Sequence, residues 1–169
     1  AASRGLVVVD EAYVDFGGTT ALSLLEELDN LLVLRTLSKS YSLAGARIGL
    51  AFARPELISE LCKVKDSYNV SRLAQAAGTA ALEDSGWMEA NVTRVRLTRE
   101  RVRDELIRLG FAVPPSAANF LWVECGPSGG EAGEISATLS PGTRRGGTIS
   151  EVFMARRLER PKSIQMSQV

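Results

Sequence analysis

The first pattern along the chain is an uninterrupted β-favouring apolar run, Leu6-Val7-Val8-Val9. A run without polar alternation predicts a strand buried on both faces of a parallel sheet. It stops at Asp10-Glu11-Ala12-Tyr13, so these polar residues sit at the strand's carboxyl end, the edge where open α/β sheets bind ligands. After the Gly17-Gly18 turn, Thr20 is placed to cap a helix through Leu22, Leu25 and Leu28, closed by Asp29-Asn30. Leu31-Leu32-Val33-Leu34 predicts a second buried strand that runs out into Arg35-Thr36-Leu37-Ser38-Lys39-Ser40, and Ile48 to Ala53 a third. Strand, helix, strand at this spacing predicts a parallel α/β layer. An apolar strand this near the first residue, with no element before it to cover its faces, predicts a chain cut inside a domain.

Beyond Arg54 the period changes to helical. Pro55 suits a first helical position, with Leu57, Leu61 and Val64 on one face. Ser71 can cap a helix whose buried side is small, through Ala74, Ala77, Gly78 and Ala81, which predicts unusually close packing. From about Trp87 to Leu109, Met88, Val92, Val95, Val102, Leu106 and Leu109 recur in steps of three and four, broken only by Arg99. The opposite face carries Arg101, Asp104, Glu105 and Arg108, with Arg101/Glu105 and Asp104/Arg108 as i,i+4 pairs. Gly110 ends this helix, Pro114-Pro115 forces an extended path, and Ala118-Asn119-Phe120-Leu121-Trp122-Val123 predicts another strand. From Gly126 onward neither period persists, which predicts a disordered tail over 126–169.

Composition narrows the chemistry. The 169 residues include 20 basic and 20 acidic side chains and no histidine, with 45% hydrophobic. That is enough to bury a core. Without histidine, Ser-His-Asp and Cys-His nucleophiles and imidazole proton shuttles are excluded within this chain. Zero net charge offers no basic footprint for nucleic acid and no polybasic membrane patch. Cys62 and Cys125 lack partners at metal-ligand spacing and read as buried small hydrophobes. No signal or membrane-spanning segment is present in the sequence, so a cytoplasmic location is expected.

One loop then draws the argument toward a cofactor. Lys39 follows a buried strand and lies among Thr36, Ser38, Ser40 and Ser42, with Arg47 eight residues on. A lysine amine at a sheet edge can form a Schiff base with an aldehyde, and partial desolvation favours its neutral, nucleophilic form. Hydroxyls with an arginine fork suit a phosphate. Asp10 needs a positive partner, which a protonated pyridine nitrogen supplies, and Tyr13 offers a phenol to a ring oxygen. Together these describe pyridoxal 5'-phosphate (PLP). Taken singly, Asp10 could equally cap a helix and Tyr13 fill the core.

The segments Val7-Val8-Val9-Asp10-Glu11-Ala12-Tyr13 and Leu34 through Gly49, with the core Ser38-Lys39-Ser40-Tyr41-Ser42-Leu43-Ala44-Gly45-Ala46-Arg47, closely resemble fold-type I, class I/II aminotransferases, and among them the histidinol-phosphate aminotransferases. Ser116-Ala117-Ala118-Asn119-Phe120 resembles the strand that opens the small domain of that family. The resemblance implies an α/β fold: residues 1–86 as the C-terminal part of a large PLP-binding domain with a mostly parallel sheet and helices, 87–125 as an interdomain helix and the start of an α+β small domain, and 126–169 as an atypical tail.

It further implies Lys39 as the lysine that carries the cofactor and moves the substrate's α-proton, and Asp10 as the partner of the pyridine nitrogen. Tyr13 would hold the ring oxygen O3', Ser38, Arg47 and Thr36 the phosphate. Asn119 is a weaker candidate for the substrate, with a strand-end hydrogen bond as its alternative. The implied reaction is transamination between histidinol phosphate and 2-oxoglutarate, in a homodimer. A threonine-phosphate decarboxylase, an aromatic aminotransferase and a non-catalytic remnant are the competing expectations. The family's N-terminal cofactor wall and its substrate arginines have no counterpart that can be matched in this sequence.

Overall fold

The computed structural model describes residues 5–124, together with the backbone of 134–140 and 151–154. The chain divides into two compact units, Ala1–Arg94 and Val95–Val169, and the division falls within one long helix.

In the first unit β1 (Val7–Asp10) pairs in parallel with β2 (Leu31–Thr36), and β2 pairs antiparallel with β3 (Gly49–Phe52), giving the order β1-β2-β3. The parallel register sets Asp10 opposite Leu34, so both strands end at the same edge. The third strand departs from the expected parallel layer. The loop 37–48 between β2 and β3 holds only the 3-10 turn Ala44–Ala46 and closes on itself through Leu37 and Ile48, so there is no helix to carry a crossover and the chain turns back.

β2 is the buried member: Leu31, Leu32 and Val33 are all core residues. β1 is not buried on both faces as expected. It is the edge strand of this sheet, with Val7 and Val8 38% and 51% exposed. The crossover from β1 to β2 also differs from expectation. In place of a capped α-helix it holds two 3-10 turns, Val14–Phe16 and Leu22–Glu26. Leu24 and Leu28 stay exposed, so no apolar stripe is buried that could stabilise a longer helix.

Glu11 fastens the two strand ends. Its side chain is almost wholly buried and accepts from Thr20 Oγ1 (2.9 Å), from the Ala21 N–H and from Arg35 Nε at 3.0 Å. Arg35 lies on β2, while Thr20 and Ala21 belong to the crossover, so one carboxylate links three stretches of chain. Burial raises its pKa, but the hydrogen bonds from Ala21, Thr20 and Arg35 and the arginine's charge together outweigh burial and hold the carboxyl below its ordinary value of 4.5.

Helix α1 (Pro55–Val64) begins with proline as expected, and α2 (Arg72–Glu83) is capped by the Ser71 hydroxyl accepting from the Ala74 N–H at 3.1 Å. On α1, Leu57 and Leu61 are half-buried while Val64 is 83% exposed. Cys62, expected in the core, is exposed on the same helix, and Cys125 lies outside the described residues. The small face of α2 does pack closely. Ala74 joins Leu37 and Ile48 in a core cluster, and a Cβ at Gly78 would stand 2.8 Å from Ile48 Cδ1 and 3.4 Å from Leu37 Cδ1. Alanine there gains about 1 kcal/mol of helix propensity only by displacing Ile48. Ala77, on the edge of that stripe, is exposed.

Helix α3 (Ser85–Arg108) covers the expected long helix. Val92 and Val95 are buried as its period predicts, but Leu109 falls in the turn after the helix and is 74% exposed. The ion pair formed on the outer face is Glu105–Arg108, not either i,i+4 pair.

In the second unit Val102 and Leu106 pack on Val113, Leu121 and Val123. β4 (Phe120–Glu124) pairs antiparallel with β5 (Glu134–Ser140), and β5 with β6 (Glu151–Met154). Part of the stretch expected to be a tail thus forms strands. Glu134-Ile135-Ser136-Ala137-Thr138-Leu139-Ser140 does alternate polar and apolar residues, a strand signal the expectation of a tail passed over, and the remainder lies outside the described residues. Arg99, the break in the helix period, is 5% exposed, donates Nη1 to the Ala118 carbonyl at 2.8 Å and pairs with Glu100 at 2.9 Å. The guanidinium therefore takes an apolar position because it satisfies a buried carbonyl just before β4.

Two stability predictions follow from these anchors. Arg99→Leu, which keeps bulk and removes the donors, leaves the Ala118 carbonyl unmatched and lowers unfolding free energy by about 1–3 kcal/mol, read by urea denaturation; an unchanged midpoint would refute the role. For Glu11, a folded pKa below the unfolded one means that the unfolded chain binds more protons in the acid range. Its contribution is complete above about pH 4.5 and fades as pH falls through the folded value. Wild type should lose stability more steeply than Glu11→Gln below pH 4.5, and parallel curves would show that the carboxylate is not so held.

Candidate active site

The carboxyl ends of β1 and β2 present two short loops to one sheet edge. The first starts at Asp10, which is exposed, and whose Oδ1 accepts the Ala12 N–H at 2.9 Å. The expected half-buried carboxylate is therefore open at this edge strand, its own loop turned by one of its two oxygens. Tyr13 follows, half-buried, where the chain enters the Val14–Phe16 turn. That turn is closed by Phe16 N–H to the Tyr13 carbonyl at 3.0 Å and anchored by the fully buried Phe16 ring.

The second loop, 37–48, is closed at its base. The Leu37 N–H donates to the Ile48 carbonyl (3.2 Å) and the Leu43 N–H to the Leu37 carbonyl (3.0 Å), while Leu37 and Ile48 lie against Ala74 of α2. Within it the Ser42 N–H reaches the Lys39 carbonyl at 3.1 Å. Ser42 and Arg47 both hold left-handed backbone, at φ 56° and 55°. Each non-glycine residue there costs about 1–3 kcal/mol, and such residues cluster at functional sites.

Lys39 leaves this loop half-buried, with Nζ 5.6 Å from the centroid of the Tyr13 ring. That contact is a cation–π interaction. Thr36 and Ser38 are side by side: the Thr36 hydroxyl lies 2.9 Å from the Ser38 hydroxyl and 3.2 Å from the Ile48 carbonyl, and accepts the Ser38 N–H at 3.1 Å. Thr36 thus serves the loop's own closure, and the Ser38 hydroxyl stands at its outer side. Arg47 is exposed, returning Nη1 to the Ala44 carbonyl at 3.2 Å.

The structure therefore brings Tyr13 to Lys39, joins Thr36 to Ser38, and sets Asp10 and Arg47 on the two loops that flank them. Asn119 belongs to the second unit, 9% exposed immediately before β4.

Several residues in this edge were not singled out from sequence. Glu11 stood beside Asp10, and nothing in the residue pair shows which carboxylate turns inward. Ser40 is 3% exposed and donates its hydroxyl to Asp15 Oδ2. Tyr41 is half-buried in the same cluster as Leu37. Burial pushes its phenol up, and the negative charge of Asp15 adds to the effect.

Known proteins resemble this chain in sequence and fold. The sequence matches the family "Aminotransferase class I and II" over residues 1–140. It is 52% identical over 118 residues to a histidinol-phosphate aminotransferase of Citrifermentans bemidjiense, a match covering 70% of this chain and 34% of that protein. It is also 44% identical over 156 residues to one of Pseudomonas putida, covering 90% and 43%. Among solved structures, histidinol-phosphate aminotransferase from Sinorhizobium meliloti in complex with pyridoxal-5'-phosphate superposes with a TM-score of 0.67 at 34% identity, over 72% of this chain and 34% of that one. The chain spans about a third of the length of the first of these relatives. A family match over residues 1–140 takes in both loops of the sheet edge, and the chain belongs to the class I and II aminotransferases.

Proposed function

We propose that the sheet edge built by Asp10, Tyr13, Ser38, Lys39 and Arg47 holds pyridoxal 5'-phosphate, and that the protein is a transaminase exchanging the amino group of histidinol phosphate with 2-oxoglutarate. The observation that carries the reading is Lys39. Its amine makes no hydrogen bond or ion pair among the described residues, and its recorded neighbour is the Tyr13 ring at 5.6 Å. An amine whose neighbour is an aromatic ring rather than a carboxylate is left free to react, which suits a lysine that condenses with an aldehyde.

The remaining residues fit the same group. The Ser38 hydroxyl and the Arg47 guanidinium, whose single recorded hydrogen bond is to Ala44, offer donors to a phosphate dianion. Asp10 keeps one carboxylate oxygen clear of its local bond to Ala12 and can hold a proton on a pyridine nitrogen. The Tyr13 phenol can donate to the ring oxygen. PLP, when bound, supplies an aldehyde for amine capture and a ring that accepts the charge developing at the substrate α-carbon. Lys39 Nζ takes the α-proton and returns it, the general acid–base role that a chain without histidine leaves to lysine.

The names of the relatives above support histidinol phosphate as the amino donor, and 2-oxoglutarate as acceptor and a cytoplasmic homodimer are part of the same proposal. Among the described residues no helix is long and apolar enough to cross a membrane. Zero net charge favours small-molecule substrates over nucleic acid.

Adding PLP to the protein should produce an absorbance band near the visible edge that Lys39→Ala abolishes, with transamination of histidinol phosphate lost by about 10³-fold or more, the scale of removing a nucleophile and general base together. Identical spectra for the two proteins would favour the non-catalytic remnant. A normal band with turnover of threonine phosphate or aromatic amino acids, and none of histidinol phosphate, would move the reading to one of the neighbouring enzymes.

A further inference from the structure

The two loops of the sheet edge follow the ends of β1 and β2, and although Asp15 and Ser40 on them are 25 residues apart in sequence, the Tyr13 ring and the Lys39 amine meet. β-pairing and Glu11 fix the strand ends only as far as Asp10 and Thr36. Beyond them each loop is closed by its own bonds, which leave the placement of one tip against the other to contacts between the two. The structure shows a bond placed to make such a contact. Ser40, the residue after Lys39, turns inward and is 3% exposed, and its hydroxyl donates to Asp15 Oδ2, two residues after Tyr13.

A buried hydroxyl needs an acceptor, and a carboxylate makes the bond charge-assisted. Both ends are themselves rigid. Asp15 lies inside the turn closed by Phe16 and Gly17, whose φ of 129° is open to glycine and strained for other residues. Ser40 lies in the turn closed by the Ser42 N–H on the Lys39 carbonyl.

We propose that Asp15 and Ser40 are positioning residues: their hydrogen bond is the strut that sets the Lys39 amine against the Tyr13 ring. The consequence for reactivity rests on the reading of Lys39 and Tyr13 as cofactor residues, while the strut itself does not. With the strut in place, the alternation along the loop points Ser40 inward and leaves Lys39 toward Tyr13. Without it the Lys39 amine leaves the ring face and meets solvent.

The test needs no cofactor. Trinitrobenzenesulfonate labels free amines, and mass spectrometry resolves the rate at Lys39 from that at the exposed Lys63 and Lys65 of the same PLP-free protein. Ser40→Ala and Asp15→Ala should each raise Lys39 labelling about two- to tenfold, the factor matching the net worth of one hydrogen bond. Lys63 and Lys65 should not change. The double variant should be no faster than either single, because both remove the same contact.

Ser40→Thr, which keeps the hydroxyl, and Asp15→Asn, which keeps an acceptor oxygen, should label near the wild-type rate. If Asp15→Ala fails to fold, Ser40→Ala against Ser40→Thr decides the matter. Equal Lys39 rates in those two, or effects that multiply in the double variant, would overturn the strut. A protein with coupled labelling but no PLP band keeps the strut and loses the proposed function; a PLP band with uncoupled labelling does the reverse.

Discussion

Glu11 is a carboxylate taken out of water at the place where two parallel strands end together, and the geometry of the active edge depends on its being satisfied there. Left unpaired, a buried charge of this kind would cost several kcal/mol. Instead the Thr20 hydroxyl, the Ala21 N–H and the Arg35 guanidinium surround it. The donors come from two other stretches of chain, Thr20 and Ala21 from the crossover and Arg35 from β2, so satisfying one charge fixes the crossover and β2 relative to β1. Asp10 and Tyr13, on either side of Glu11 in sequence, are presented outward because Glu11 is held inward.

A second constraint is steric and acts on the other loop. The base of the Lys39 loop is Leu37 bonded to Ile48, and both rest on a helix that offers them almost no side chain. At Gly78 even a methyl group would collide with Ile48. The close approach lets the loop's own apolar residues, Leu37, Tyr41, Leu43 and Ala46, gather on α2, which leaves its hydroxyls and its lysine for the sheet edge. Packing on one side thus decides which chemistry appears on the other.

Much of this was legible in the residues, for reasons that can be named. β2 announced itself because a strand buried in a small sheet has no room for polar alternation. The α2 contact announced itself because only alanine and glycine allow a helix so near. The Lys39 loop was legible through its cluster of hydroxyls and basic groups, and through its resemblance to the aminotransferases. What was hidden depended on partners distant in sequence. Glu11 and Asp10 are chemically alike, and only the position of Arg35 and Thr20 tells which one turns inward. Arg99 broke a helix period because a carbonyl 19 residues away required a donor. The direction of β3 was set by a loop that closes on itself through Leu37 and Ile48 instead of crossing the sheet, and the exposure of β1 by its place at the sheet edge. β5 did alternate, from Glu134 to Ser140, and β6 carries the short apolar run Val152-Phe153-Met154; both signals were missed because they stand among glycines and charged residues in a stretch with no lasting period, and because β6 finds its place only by pairing with β5.

The two left-handed residues sharpen the reading of the loop as a working part. Glycine would adopt φ near 55° at little cost, and the chain uses glycine two residues away, at Gly45, where no positive φ is required. At position 47 it instead places an arginine in strained backbone, and that arginine needs only Nη1 to close the Ala44 turn. A side chain that merely capped a turn would not justify the strain, since the Arg47 N–H already bonds the same carbonyl. The strain is accounted for if the rest of the guanidinium has a use, and under the function proposed above that use is the binding of an anion at the edge it shares with Ser38 and Lys39. An expensive backbone conformation, held by a closed and packed loop, keeps a charged fork at the sheet edge before any ligand arrives.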